Sequence, residues 1–198
     1  LFNLFTYNKE NEIISNYNYC HYNNYYSISK YVDDKENFYI DYIDDLTKAN
    51  DVLSSPVFIL LRAIALQKIG DYKETMNDVN YILNNYKEQL SYSICTKIAT
   101  IYSRFRRWNY AIKYELLAID KLKQQKQIQI NLNSKLKMKY TSIAYHYSLI
   151  SDYNNATEYI NKSLKIDATF PYTLEIQGFI LLRFVSPLVP SPILQKNF

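Results

Sequence analysis

Pairs of amphipathic segments, each pair joined by a very short connection, recur along this chain. Apolar residues stand three and four positions apart in each segment, which gives a helix one apolar face. Three of the connections contain Gly70-Asp71-Tyr72, Arg107-Trp108-Asn109 and Ser151-Asp152-Tyr153. Only two glycines occur in 198 residues, which argues against a sheet-rich fold with many tight turns and against glycine-rich phosphate loops. The sequence therefore predicts an all-α protein built from antiparallel helix pairs.

The helical periodicity lies between two less regular ends. We predict helices over 36–53, 56–69, 72–86 and 89–105, one after Asn109, one on each side of Ser151-Asp152-Tyr153, and one from Pro171. Residues 1–35 are rich in Tyr and Asn, and we expect a partly disordered leader or a cover over the first helix pair. Residues 185–198 are a proline-containing tail. The predicted helical domain is thus 36–184.

Small residues recur in the first helix of each pair. Ala63, Ala99, Ala144 and Gly178 have little or no side chain to separate two backbones, so we expect the second helix to approach closely there. The other packing positions that we predict lie in the turns and the second helices, and they are Gly70, Tyr72, Trp108, Ala111, Tyr153 and Ala156.

These helix pairs resemble tetratricopeptide repeats, which are helix–turn–helix units of about 34 residues. The third copy shows the pattern well, with Tyr140, Ile143-Ala144, Tyr147, Ala156 and Ile160 in the family's large and small positions. The resemblance covers about residues 36–184. It implies three full repeats and a partial fourth, stacked as a right-handed superhelical array.

Three polar residues depart from the family pattern. Arg62, Glu115 and Gln177 stand where the family has apolar side chains, and the copies begin 36, 45 and 34 residues apart. The long interval predicts that the second helix of the second copy and the first helix of the third are extended by about two turns. An irregular helical bundle is the structural alternative.

The resemblance implies a function without chemistry. Proteins of this family are mostly scaffolds or adaptors, often subunits of larger complexes, that bind a peptide or a helix in the groove lined by the first helices. By position, the groove residues here are Lys97, Thr100, Arg104, Thr141, Tyr145, Ser148, Tyr172 and Phe179. Some of these positions can instead be core. Cationic and aromatic side chains are the types that anchor interfaces, which favours Lys97, Arg104 and Tyr145.

A basic stretch lies in the second half of the chain. Residues 91–198 hold 15 basic and six acidic side chains, whereas residues 1–90 hold eight and 13. Such charge can serve an acidic protein, RNA or an anionic membrane surface, and a solvated hairpin is the alternative. The lysines of this predicted basic hairpin are Lys121, Lys123, Lys126, Lys135, Lys137 and Lys139.

No catalytic or metal-binding pattern is recognisable. His21 lies in the leader, and His146 lies in a helix with no acidic or cysteine residue one turn away. Cys20 and Cys95 stand apart, which indicates a reducing compartment. We therefore predict a protein that is not an enzyme, needs no cofactor, and resides in the cytoplasm or the nucleus.

The predicted partner is another protein. No apolar run approaches the roughly 18 residues of a membrane span. Residues 174–184 are apolar on nearly every face, which predicts association through this surface. Two alternatives remain open at this point, a structural subunit that assembles through its end faces and an RNA-binding helical repeat that uses the basic half.

Overall fold

The computed structural model describes residues 35–124 and 132–185. These ranges contain no strand, and their helices are α1 (Lys35–Val52), α2 (Pro56–Lys68), α3 (Tyr72–Asn85), a 3-10 turn (Lys87–Gln89), α4 (Tyr92–Arg104), α5 (Trp108–Gln124), α6 (Leu132–Leu149), α7 (Tyr153–Ile166) and α8 (Pro171–Val185). The predicted all-α class is confirmed. One boundary was wrong, because a separate 3-10 turn precedes α4 where the sequence predicts a single helix over 89–105. The predicted leader before Lys35 and the tail after Val185 lie outside the described residues.

The described helices form two compact units, one ending at Leu83 and the other beginning at Asn84. In the first unit, α1 packs on α2. In the second unit, α4 packs on α5, α5 on α6 and α6 on α7, and α8 packs against both α6 and α7. In each of these pairs within a unit, helices that are close in sequence pack against one another.

Three helix pairs share one turn geometry. α2, α4 and α6 each end before a residue in the left-handed backbone region, namely Gly70 (φ 82°), Arg106 (φ 56°) and Ser151 (φ 63°). At the first turn, the Asp71 N–H donates to the Leu66 carbonyl at 3.0 Å, and the Gly70 N–H donates to the carbonyl of Gln67, which is a Schellman cap. Equivalent pairs of bonds close the other two turns. The connection is thus the same three times, although only one copy has the glycine that this conformation favours.

We expect Ser151→Gly to stabilise the second unit by roughly 0.5–1 kcal/mol. A residue with a Cβ loses about 1–2 kcal/mol in the left-handed region, and the larger entropy of glycine in the unfolded chain returns part of that gain. Urea denaturation followed by the fluorescence of Trp108, the single tryptophan of the chain, measures the change. Gly70→Ala is the reverse control and should destabilise the first unit, measured by hydrogen exchange of the α2 amides because Trp108 lies in the second unit. A destabilising Ser151→Gly would contradict the prediction.

The core of the first unit lies between α1 and α2. Tyr42, Leu46, Phe58 and Ala65 are buried together there. Serine caps α2, since Ser55 Oγ accepts the Val57 N–H at 3.3 Å and Pro56 begins the helix without an N–H to satisfy. Most of the apolar residues of α2 are buried, although Val57 is 49% exposed.

Arg62 of α2 is the polar exception in this unit. Its guanidinium donates twice to the nearly buried Asp78 of α3, with Nη2–Oδ1 2.6 Å and Nε–Oδ2 2.9 Å, and once to Thr47 Oγ1 of α1 at 3.2 Å. These bonds satisfy a charge that would otherwise be costly inside a helical core. Arg62 thus connects all three helices of the unit.

The second unit has two apolar clusters. One, with Leu122, Leu136 and Ile143 among its members, lies where α5 and α6 meet. The other is built from α6, α7 and α8 and contains Ala144, Ala156, Ile160, Ile176 and Ile180. α6 contributes to both clusters and is therefore the central helix of the unit.

Three hydroxyl groups are buried where α6, α7 and α8 meet. Thr141 Oγ1 lies 2.7 Å from Thr173 Oγ1 and 2.9 Å from Ser163 Oγ, and the Ser163 and Thr173 oxygens are 2.9 Å apart. The Lys137 carbonyl accepts from both Thr141 and Ser163 at 2.9 Å. This hydroxyl triangle satisfies its own donors without water, which is the condition for burying polar side chains.

Candidate functional site

Aromatic and cationic side chains come together on neighbouring parts of α6 and α8. The rings of Tyr145 and Phe179 are 5.5 Å apart, and the Arg183 guanidinium lies 5.1 Å from the centroid of Phe179. Tyr172 is exposed and lies seven residues before Phe179, which places both on one face of α8. We call Tyr145, Tyr172, Phe179 and Arg183 the α6–α8 surface.

Both tyrosine hydroxyls of the α6–α8 surface are held in the neutral form. Tyr172 is 38% exposed as a residue, yet desolvation of its buried part raises the pKa of its phenol to about 12, with the negative charge of Glu115 adding to the rise. Burial also raises the pKa of Tyr145, against the opposing charge of Arg183. At neutral pH the surface therefore offers two hydroxyl donors, three aromatic rings and one guanidinium.

The predicted groove residues divide into accessible and buried ones. Tyr145, Tyr172 and Phe179 belong to the α6–α8 surface. On α4, Thr100 and Arg104 are exposed and Lys97 is partly exposed.

Thr141 and Ser148 were wrongly placed in the groove. Both are fully buried: Thr141 belongs to the hydroxyl triangle, and Ser148 Oγ donates to the Tyr145 carbonyl at 2.6 Å. They lie three residues before and four residues after Ala144, on the same packed face of α6. That spacing is visible in the sequence and could have identified them as buried.

Some lysines of the predicted basic hairpin form contacts with other side chains of the fold. Lys137 pairs with Asp167, with Nζ–Oδ2 2.6 Å, and its Nζ lies 4.2 Å from the centroid of the Phe170 ring. The hydrogen bond from Lys137 lowers the pKa of Asp167. Lys135 lies over the ring of Tyr92 at 5.3 Å. These two lysines hold α6 against its surroundings instead of presenting free charge.

The side chain of Lys139 is largely buried. Its side chain is 12% exposed and its Nζ lies 3.8 Å from Glu115 Oε1. Burial lowers the pKa of Lys139, and the charge of Glu115 opposes that effect. Lys121 is partly exposed and Lys123 exposed, while Lys126 lies outside the described residues.

The predicted packing residues do not all pack. Ala63, Ala99, Ala111, Ala144 and Ala156 are at most 1% exposed. Gly178 is the correction: a Cβ added there would meet no atom within 4 Å, so no close helix approach depends on it. Among the remaining positions, Gly70 is exposed in the turn and Tyr72 is exposed at the start of α3. Trp108 stacks on His146, and Tyr153 contacts Phe184 edge to face.

A serine, a histidine and a glutamate form a continuous hydrogen-bonded array in the second unit. Ser103 Oγ lies 2.9 Å from His146 Nε2, and His146 Nδ1 lies 3.0 Å from Glu115 Oε2. The three residues come from α4, α6 and α5 respectively. His146 and Glu115 are 4% and 3% exposed, whereas Ser103 is partly exposed. The array therefore runs from a partly exposed serine residue into the interior.

Further contacts fix the inner end of this Ser–His–Glu array. Ser142 Oγ donates to Glu115 Oε1 at 2.5 Å, the oxygen that Lys139 also approaches. The indole of Trp108 stacks on the His146 ring, with centroids 5.6 Å apart and planes 24° apart. The carboxylate and the imidazole are thus both held in position from outside the array.

Sequence reasoning missed the array. His146 was judged to have no acidic partner because none lies within one helical turn, but Glu115 and Ser103 lie 31 and 43 residues away. One residue, Glu115, could have indicated the array from the sequence. A carboxylate in an apolar repeat position needs a buried partner, so Glu115 predicts a hydrogen-bond donor or a cation beside it.

No helix in the described part of the chain has the length and apolarity that crossing a bilayer requires. Over the same residues, no three His, Cys, Asp or Glu side chains are grouped so that they could hold a metal ion. No protein-family model matches the chain, and no curated protein matches it either.

Proposed function

We propose that this chain is a tetratricopeptide-like scaffold that binds a peptide or a helix of another protein on the first helices of its pairs. In this proposal the helix pairs stack as a right-handed array and the protein acts as an adaptor within a larger assembly. Binding of a peptide or a helix requires no catalytic residue. The observation that carries the proposal is the α6–α8 surface, where three predicted groove residues lie together with Arg183.

The chemistry of the α6–α8 surface suits a peptide. Aromatic rings and an arginine are the side chains that most often anchor protein interfaces. Arg183 stacked on Phe179 is pre-oriented, so less side-chain entropy is lost when a carboxylate or a carbonyl binds to it. The neighbouring tyrosine hydroxyls add donors for a peptide backbone. The repeated turn geometry supports the repeat character of the fold, since the same connection recurs in three pairs.

Selection of a random peptide library on the purified protein tests the proposal. We expect selected peptides whose affinity falls about 30-fold in Phe179→Ala and in Arg183→Ala, corresponding to about 2 kcal/mol for an anchor residue. Tyr81→Ala, which alters an exposed tyrosine of the first unit, is the matched control and should bind the same peptides unchanged. An empty selection, or peptides indifferent to both variants, would overturn the proposal for this surface.

A structural subunit that assembles through α8 is the second candidate. The specific observation in its favour is the exposure of Leu181, Leu182 and Phe184, at 57%, 68% and 67%. Apolar side chains exposed side by side are typical of interfaces. Light scattering of Leu182→Glu separates this candidate from the first, because loss of self-association with unchanged peptide binding would favour a structural role.

A further inference from the structure

We propose that Ser103, His146 and Glu115 form an activated-serine site that accepts the acyl group of a small carboxylic ester. This inference goes beyond the proposed binding function and does not depend on it. It rests on three residues from three helices joined by two hydrogen bonds of ordinary length, 2.9 and 3.0 Å. Nucleophile, base and orienting acid in this order are the parts that serine acylation requires.

The partners of the imidazole determine where its proton lies. A carboxylate accepts hydrogen bonds and donates none, so Nδ1 of His146 carries the proton that is donated to Glu115. In the neutral ring Nε2 is then the acceptor, and the Ser103 hydroxyl donates to it. This is the tautomer in which a histidine can withdraw the serine proton.

The surroundings hold the base in that orientation. Trp108 stacks on the imidazole, and Ser142 and Lys139 approach the second oxygen of Glu115. When His146 takes up a proton, the carboxylate at 3.0 Å and the indole face both stabilise the positive charge. The base therefore does not have to reorganise during the transfer, which is the property that makes such arrays effective.

The accessible end of the array decides the kind of substrate. Ser103 lies in the last turn of α4 and is partly exposed, while the base and the acid are buried behind it. Because His146 and Glu115 are buried, Ser103 is the residue of the array at which a substrate would have to bind. Arg104 follows Ser103 directly and Arg106 lies three residues after it; both are exposed, which favours neutral or anionic acyl groups over cationic ones.

The proposed reaction requires no reactant other than the ester and water. A lone pair of Ser103 Oγ forms a bond to the carbonyl carbon of the ester while its proton moves to His146 Nε2. The carbon–oxygen bond to the leaving alcohol then breaks, and His146 returns the proton to that alcohol. Water repeats the sequence on the acyl-serine and releases the acid. The acyl-serine is an alkyl ester and less reactive than an activated aryl ester, so with an aryl ester we expect one fast acylation per chain followed by slow release.

A fluorophosphonate probe tests the inference on the full chain. Attack by Ser103 on phosphorus expels fluoride, and the adduct is located by peptide mass spectrometry. We expect modification at Ser103 at least about 100-fold faster than at Ser93, an exposed serine of the same helix, since a positioned general base contributes roughly 10²–10⁴-fold. p-Nitrophenyl acetate should release one equivalent of nitrophenol in a burst.

Variants separate activation from simple exposure. Ser103→Ala should lose both the adduct and the burst, Ser93→Ala should keep both, and His146→Gln should slow modification of Ser103 to the rate of Ser93. The rates of modification at Ser103 and Ser93 in the wild-type protein are sufficient to decide the question. The test therefore remains valid if a variant fails to fold. Ser103 reacting no faster than Ser93, or equally fast in a folded His146→Gln, would overturn the inference. Peptide binding by Ser103→Ala shows separately whether the proposed scaffold function holds.

Discussion

Arg62→Leu is expected to cost the first unit about 3–5 kcal/mol of its free energy of unfolding. The substitution leaves the Asp78 carboxylate, itself 5% exposed, with neither of its two bonds from the guanidinium. Removing one partner of a buried ion pair has this magnitude because the remaining charge is neither solvated nor neutralised. Thr47 also loses a donor, which adds a smaller cost.

Hydrogen–deuterium exchange of the α2 and α3 amides measures the effect within the first unit. The double variant Arg62→Leu/Asp78→Leu should recover most of the loss, because apolar side chains of similar size can replace a buried pair at little cost. Lys48→Leu is the matched control, since the Lys48–Asp44 pair is exposed and should matter far less. Arg62→Leu with exchange protection like that of the wild type would refute the role assigned to the pair.

Glu115→Leu should destabilise the second unit by a similar amount, about 3–5 kcal/mol. The carboxylate is the common partner of Ser142, Lys139 and His146, and it is 3% exposed. Without it the partly desolvated Lys139 cation has lost its counter-charge, and the inner nitrogen of His146 has lost its acceptor. Trp108 lies against His146, so its fluorescence during urea denaturation reports this region directly.

A second substitution distinguishes lost charge pairing from lost packing. Burial already lowers the pKa of Lys139, so its charge is costly where it stands. Glu115→Leu/Lys139→Met should therefore recover part of the stability lost in Glu115→Leu alone. Equal stability of the single and double variants would mean that packing around position 115, and not the ion pair, sets the cost.

The helices of this chain could be predicted from its sequence because their determinants are local. Apolar spacing, Ser55-Pro56 at one helix start and Gly70 at one helix end act within a few residues. The turns at Arg106 and Ser151 were also located, although neither residue favours the left-handed region. There the second helix of the pair and its packing hold the turn in place.

The polar contacts could not be predicted because they join distant parts of the chain. Arg62 and Asp78 are 16 residues apart and Ser103 and His146 are 43 apart. Periodicity indicates which face a residue occupies, not which residue of another helix it meets. Arg62 and Glu115 were nevertheless visible as charges in apolar positions, and a buried charge implies an opposite partner. The prediction for Gly178 was wrong for a different reason, since a small residue permits two helices to approach closely but does not cause them to do so.

The hydroxyl triangle limits how the second unit can change shape. Apolar helices slide past one another at small cost, because one methyl group replaces another as a neighbour. Sliding α8 along α6 by one helical turn, about 5.4 Å, would instead separate the Thr141 and Thr173 oxygens, now 2.7 Å apart, far beyond hydrogen-bonding distance. Shear motion is thereby disfavoured at this junction. A partner or an acyl group bound nearby would have to act through hinge-like opening, in which these three helices either stay locked or separate.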